Sequence, residues 1–252
     1  MSSRAPSPPV ALEPSLLEWF ATPYGQYVLD ANYQYFDRET EDVFGFHALQ
    51  VGLAPLDFLR NSRIAAKHRL DWENNASLVA DADALPFAAD CLDLVTLPHT
   101  LEFVLQPHDV LREVYRVLRP EGRAIVCGFN PVSLIGAKRY FGRGTLPPWN
   151  ASMISLYRMK DWLTLLGFDV IAGGLGCYAY PTQNEKWLER TRWMDHAGDR
   201  WWPIAGGTYY LHAVKRVANV RLIRPEWSEK SRRRRAAVAT TPSVSNQKNI
   251  HE

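Results

Sequence analysis

The stretch that decides the fold is Ala80–Pro131, ADADALPFAADCLDLVTLPHTLEFVLQPHDVLREVYRVLRPEGRAIVCGFNP. Leu92–Leu97 (LDLVTL) is a short apolar run rich in branched residues and reads as a strand. Pro107–Leu118 sets Val110, Leu111, Val114, Val117 and Leu118 on one helical face. It opens at a proline, whose missing N–H costs nothing in the first turn, and stops before Pro120 and Gly122. Arg123–Gly128 (RAIVCG) is then a buried strand. Strand, helix and strand in this order predict a parallel pair joined by a crossover helix.

Working outward, Thr22-Pro23 caps a helix predicted through about Asp37, and His47–Val51 reads as a short strand ending at Gly52. Ile64–Leu70 and Ser77–Ala80 are weaker strand candidates. Downstream, Tyr157–Leu166 is a helix ended by Gly167, and Phe168–Ala172 and Thr208–Val217 read as closing strands. The expected fold is α/β, a mostly parallel sheet with helices on both faces. Ligands in such sheets bind beyond the carboxyl ends of the strands, here in the loops after Val51, Ala80, Leu97 and Gly128.

Of the 252 residues 46% are hydrophobic, enough apolar surface to exclude a wholly disordered chain. The longest apolar stretch, Ala124–Ala137, is broken by Asn130-Pro131 and falls short of the ~20 residues of a membrane-spanning helix. Residues 1–13, rich in Ser and Pro, are expected to be a flexible arm, residues 14–227 one domain, and residues 228–252 a disordered basic tail. That tail sets Lys230, Arg232–Arg235 and Lys248 against Glu229 and Glu252, so residues 1–227 are net acidic despite an overall charge of +2. An acidic body argues against a nucleic-acid partner. Cys91, Cys127 and Cys177 show neither CxxC nor metal-ligand spacing, and no secretory signal opens the chain. A reduced, cytoplasmic protein without a metal is expected.

Asp81 and Ala82 lie just past a strand end, where a carboxylate and a backbone N–H can pair with the edge of an adenine. The plainer reading makes Asp81 and Asp83 the shapers of a surface turn. Asp81-Ala82-Asp83-Ala84-Leu85-Pro86-Phe87, the strand Asp93-Leu94-Val95, the loop His99-Thr100-Leu101-Glu102, and Leu111-Arg112-Glu113 with Arg116–Gly122 follow in order. Together they resemble the class I S-adenosylmethionine-dependent methyltransferases, in the branch of the ubiquinone and menaquinone biosynthesis enzymes.

The resemblance implies a Rossmann-like sheet with a closing antiparallel strand pair, S-adenosylmethionine as cofactor, and methyl transfer to a small or medium-sized acceptor. It carries cofactor binding onto Gly52, Asp81, Ala82, Pro98 and His99 and sets His99 beside the methyl group; His99 is then either a base or a residue that hydrogen-bonds a neighbouring loop, and Glu102 either orients it or starts the following turn. The family's acidic residue and glycine-rich turn are here Gln50-Val51-Gly52-Leu53-Ala54-Pro55-Leu56, which keeps Gly52 alone. The ribose-binding carboxylate would be Asp71 or Glu73, and the short distance from Gly52 to Asp81 implies an abbreviated element. Two readings follow: a divergent pocket that retains the cofactor, which the Asp81 turn favours, or a non-catalytic binding or regulatory module.

His47 and His68 carry no matched role, and Asn130-Pro131 reads as a strand-ending turn. Trp187, Trp193, Trp201 and Trp202 are expected to pack against the sheet, with an aromatic lid or a peripheral membrane contact as alternatives. Arg232–Arg235 reads as a solubilising run. Oligomeric state and acceptor identity stay open.

Overall fold

A computed structural model describes residues 13–71, 76–141, 152–202 and 204–217. Among them β1 (His47–Val51), β2 (Ala66–Asp71), β3 (Leu78–Val79), β4 (Leu92–Pro98), β5 (Leu118–Phe129), β6 (Phe168–Gly176) and β7 (Thr208–Lys215) form one sheet in the order β3-β2-β1-β4-β5-β7-β6. β7 runs antiparallel to β5 and β6, and the other pairings are parallel.

Side-chain alternation on β1 explains the two layers. Ala48 faces α1 (Glu13–Phe20) and α2 (Pro23–Glu41), in a core with Trp19, Phe20, Val28, Phe36 and Phe129. Leu49 and Val51 face the opposite core, where α3 (Pro107–Val117) and α5 (Leu156–Leu165) bury Val110, Leu111, Val114, Met159 and Leu163. α2 starts as Thr22-Pro23 predicts, with the Thr22 hydroxyl accepting from the Gly25 amide at 3.2 Å. It continues four residues past Asp37, to Glu41.

Several expectations need correction. The crossover helix exists between β4 and β5, but residues 52–65 and 80–91 join their parallel strands through turns alone. The element abbreviated before Asp81 is therefore the helix after β1. β5 begins at Leu118, and Pro120-Glu121-Gly122 is a bulge inside it, with the pairing slipping between Leu92 and Leu94 and Glu121 at a φ of +67°. α1, α4 (Leu134–Phe141), α6 (Glu185–Thr191) and α7 (Trp193–Trp201) went unread. Trp187, Trp193, Trp201 and Trp202 are 56–72% exposed instead of packed. The arm, the tail, Glu73 and the Arg232–Arg235 run lie outside the described residues, except that α1 starts at Glu13.

Cys91, Cys127 and Cys177 are unpaired thiols. Among the described residues no helix is long and apolar enough to cross a membrane, and no His/Cys/Asp/Glu cluster could hold a metal ion.

Candidate active site

The carboxyl ends of the four parallel strands β3, β2, β1 and β4 lie side by side in the sheet. They bring Asp81 and Ala82, Asp71, Gly52, and Pro98-His99 to one edge. Gly52 has a φ of +81°, and a Cβ there would meet the Thr100 hydroxyl at 3.0 Å, so both conformation and space call for glycine. Leu53 follows at φ +50°, a left-handed residue where a second glycine would be the unstrained choice.

Gln50 explains the missing acid. It is buried, and its Nε2 faces the carbonyl oxygens of Gly52, Leu53 and Leu56 at 3.1, 3.1 and 2.8 Å, while its Oε1 accepts from the Phe58 amide. A carboxylate has no proton to offer three carbonyls. Asp71, at the end of β2, takes the Ala54 amide at 3.0 Å, and Arg69 donates to the Ala54 carbonyl at 3.1 Å. Side chains from two strands thus hold a loop that has no helix of its own.

The turn after β3 is held from α3. Glu113 accepts from the Leu85 amide, and Arg116 donates to the Phe87 and Leu85 carbonyls at 2.9 and 3.1 Å. The Arg116 guanidinium keeps the Glu113 carboxyl below its ordinary value, so the clamp stays charged. The Asp81 carboxylate and the Ala82 amide have no hydrogen-bond partner among the described residues, which leaves one acceptor and one donor side by side. The matched Asp93 sits at the far end of the sheet, taking the Phe46 and His47 amides that start β1.

His99 has a φ of +50° and a side chain with no exposed surface. Its Nδ1 is 3.0 Å from Glu102, which also accepts from the Phe129 amide. Its Nε2 is 3.0 Å from Asn32 Nδ2, and the Phe129 ring lies 4.1 Å away. Tyr210 donates to Asn32 Oδ1 at 2.8 Å, which orients the Asn32 amide with its N–H toward His99. With Asn32 so oriented, Nε2 is the accepting nitrogen and Nδ1 the one that donates to Glu102. Burial pushes the Tyr210 hydroxyl and the Cys127 thiol well above their ordinary values, so both stay neutral here.

The sequence-derived candidates Gly52, Asp71, Asp81, Ala82, Pro98 and His99 come to this edge, whereas Asn32, Phe129 and Tyr210, which surround His99, went unnamed. Asn32 and Tyr210 come from α2 and β7, far from the matched segment, and no local pattern marks them. His47 and His68 stack 6.3 Å apart on β1 and β2.

This strand order, with a reversed β7 inserted between β5 and β6, defines the Rossmann-like class I methyltransferase fold. Residues 49–126 match the methyltransferase domain family. The chain is 33% identical over 158 residues to the uncharacterized protein YafS of Escherichia coli, covering 61% of this chain and 65% of that one. It is 30% identical over 149 residues to the demethylmenaquinone methyltransferase of Mycolicibacterium paratuberculosis, covering 55% and 57%. The matches thus span less than two thirds of either relative. An S-adenosylmethionine-dependent methyltransferase of Thermotoga maritima superimposes with a TM-score of 0.60 at 16% identity, over 79% of this chain and 94% of that one. The chain thus has the Rossmann-like class I methyltransferase fold, and its residues 49–126 match the methyltransferase domain family.

Proposed function

We propose that the protein transfers a methyl group from S-adenosylmethionine to a small or medium-sized acceptor. The observation that carries this reading is the unengaged pair at the end of β3, the Asp81 carboxylate and the Ala82 amide. An acceptor beside a donor is the complement of an adenine edge, whose exocyclic amine donates and whose ring nitrogen accepts. The donor set therefore fits the cofactor at its adenine end. Gly52 lets the backbone come close at the end of β1, Asp71 stands at the end of β2 for the ribose hydroxyls, and Pro98-His99 forms the wall after β4.

When bound, the cofactor supplies a methyl group activated on a sulfonium. The protein aligns the acceptor with it and excludes water. His99 could take a proton from the acceptor on Nε2, once Asn32 leaves that nitrogen. In the arrangement described it positions the loop after β4. Three unpaired thiols support a cytoplasmic location.

A second reading, a non-catalytic module, is favoured by one observation: Gln50 and Asp71 are both engaged by the chain's own loop. Thermal unfolding with S-adenosylhomocysteine separates the two. At a hundredfold excess over Kd, a ligand that binds the folded state alone adds about 2.7 kcal/mol. That raises Tm by roughly 5–10 °C for a domain of this size. The enzyme reading expects this rise and its loss in Asp81→Ala. No rise in a folded protein supports the module.

A further inference from the structure

α6 and α7 run on through Arg192, whose φ of −59° and ψ of −27° are helical. At about 3.6 residues per turn, Lys186, Arg190, Trp193, Arg200 and Trp201 therefore return to one side, and all five are exposed. The other side docks on the protein. Leu188 is buried, the Asp195 carboxylate takes the Tyr27 hydroxyl and the Tyr178 amide, and Gly198 lies so close to the Tyr178 ring that a Cβ would overlap it. Glu185 and Glu189 stand at the margin of the outer stripe.

The outer stripe thus interleaves three cations with two indoles. Among the described residues Lys186, Arg190 and Arg200 form no ion pair, although Arg190 lies 5.9 Å from the exposed Trp187 ring. Apolar surface continues past α7 through Trp202 and Ile204, each more than half exposed. Asn130 ties that segment to the start of the turn after β5, donating to the Ile204 and Gly206 carbonyls at 2.8 and 2.9 Å and accepting from the amide of Val132, which is also more than half exposed. Apolar surface this extensive gains free energy when it is covered.

We propose that the outer face of α6 and α7 docks the protein on an anionic lipid bilayer. Indoles place an apolar body and one N–H donor at the boundary of headgroup and acyl chain. Lysine and arginine lay their stems along that boundary and hold their charge at the lipid phosphates. The face is therefore complementary to anionic lipid in both charge and polarity. A second copy of the same face would set cation against cation. A nucleic acid could stack on the tryptophans, but it offers nothing to cover Ile204 and Val132, and residues 1–227 are net acidic. The inference uses no residue of the candidate active site and stands apart from the methyltransferase reading.

The test is cosedimentation of the full chain with vesicles of phosphatidylcholine alone, or of an equimolar mixture with phosphatidylglycerol, alongside fluorescence anisotropy with labelled polyuridylate. Wild type is compared with the pair Trp193→Ser and Trp201→Ser, and with the pair Arg190→Gln and Arg200→Gln. A further chain with Arg232, Arg233, Arg234 and Arg235 all changed to Gln separates any attraction by that basic run. Saturable binding of wild type to the anionic vesicles alone is expected, weakened at least tenfold by each α6–α7 pair and less by the change at 232–235. Absence of binding by folded wild type overturns the inference. So does equal binding to phosphatidylcholine alone, or binding that either α6–α7 pair leaves intact. Tighter binding to polyuridylate, lost in the same variants, makes the face a nucleic-acid site and overturns it as well. Urea midpoints equal to that of wild type confirm that the variants are folded.

Discussion

Gln50 accepts a hydrogen bond from the Phe58 amide at 2.9 Å with one end of its side chain and donates to the carbonyls of Gly52, Leu53 and Leu56 with the other. A single buried amide therefore closes the loop in which related folds place a glycine-rich turn. Restoring the family's acid, Gln50→Glu, should destabilise the protein by about 2–4 kcal/mol, because a carboxylate would face three carbonyl oxygens with nothing to donate. Urea denaturation measures the loss. Unchanged stability would show that Gln50 does not hold the loop.

Gly52→Ala should cost about 1–3 kcal/mol. Part is the left-handed backbone at φ +81°, and part is the 3.0 Å approach of the new Cβ to Thr100 Oγ1. Because the same turn would face the cofactor, S-adenosylhomocysteine affinity should fall with it. Calorimetry on the variant, at a temperature where it is fully folded, checks the second effect separately from the first.

Glu102 accepts from both His99 Nδ1 and the Phe129 amide. In Glu102→Gln one of those two donors must face an NH2 group, and a loss of about 2–4 kcal/mol is expected. A spectroscopic signature accompanies it. Imidazole ¹⁵N shifts of wild type should show His99 protonated on Nδ1 and bare on Nε2, and Glu102→Gln should disturb that pattern. A wild-type ring protonated on Nε2 would contradict the hydrogen-bond chain from Tyr210 through Asn32.

His212 on β7 and Glu39 on α2 form a pair 2.8 Å apart. Burial, partly opposed by Glu39, holds the His212 imidazole below its ordinary 6.5. Burial would raise Glu39, but hydrogen bonds from His212 and Arg38 bring its carboxyl below the ordinary 4.5. Both shifts mean that the unfolded chain binds more protons than the folded one. The His212 contribution is complete above pH 6.5 and declines as pH falls toward its lowered folded value. The Glu39 contribution is present above pH 4.5 and is lost on further acidification. Urea midpoints should therefore rise with pH between about 4 and 7, and His212→Gln should flatten the upper part of that rise.

The segment Ala80–Pro131 was legible because its local signals agree with its tertiary role. The proline-started helix packs Val110, Val114 and Val117 inward, and its outer Glu113 and Arg116 clamp the turn that follows β3. The loop after β1 was not legible, because what holds it is tertiary: Gln50, Asp71 and Arg69 act on backbone groups up to 17 residues away. The same reason hid Asn32 and Tyr210, which meet His99 only after α2 and β7 dock on the sheet. α1 and α4 are eight residues each, too short for a helical period to stand out. The exposed tryptophans were misjudged because aromatic content alone does not distinguish core from surface.

Isothermal titration of the full chain with S-adenosylmethionine, in wild type and Asp81→Ala, tests the central claim most directly. The account predicts one site per chain with affinity in the micromolar range, about 8 kcal/mol of binding free energy. It also predicts at least a tenfold weakening when the Asp81 carboxylate is removed from a variant of unchanged stability. Absence of binding by folded wild type at millimolar ligand, or equal affinity in the two proteins, would contradict it.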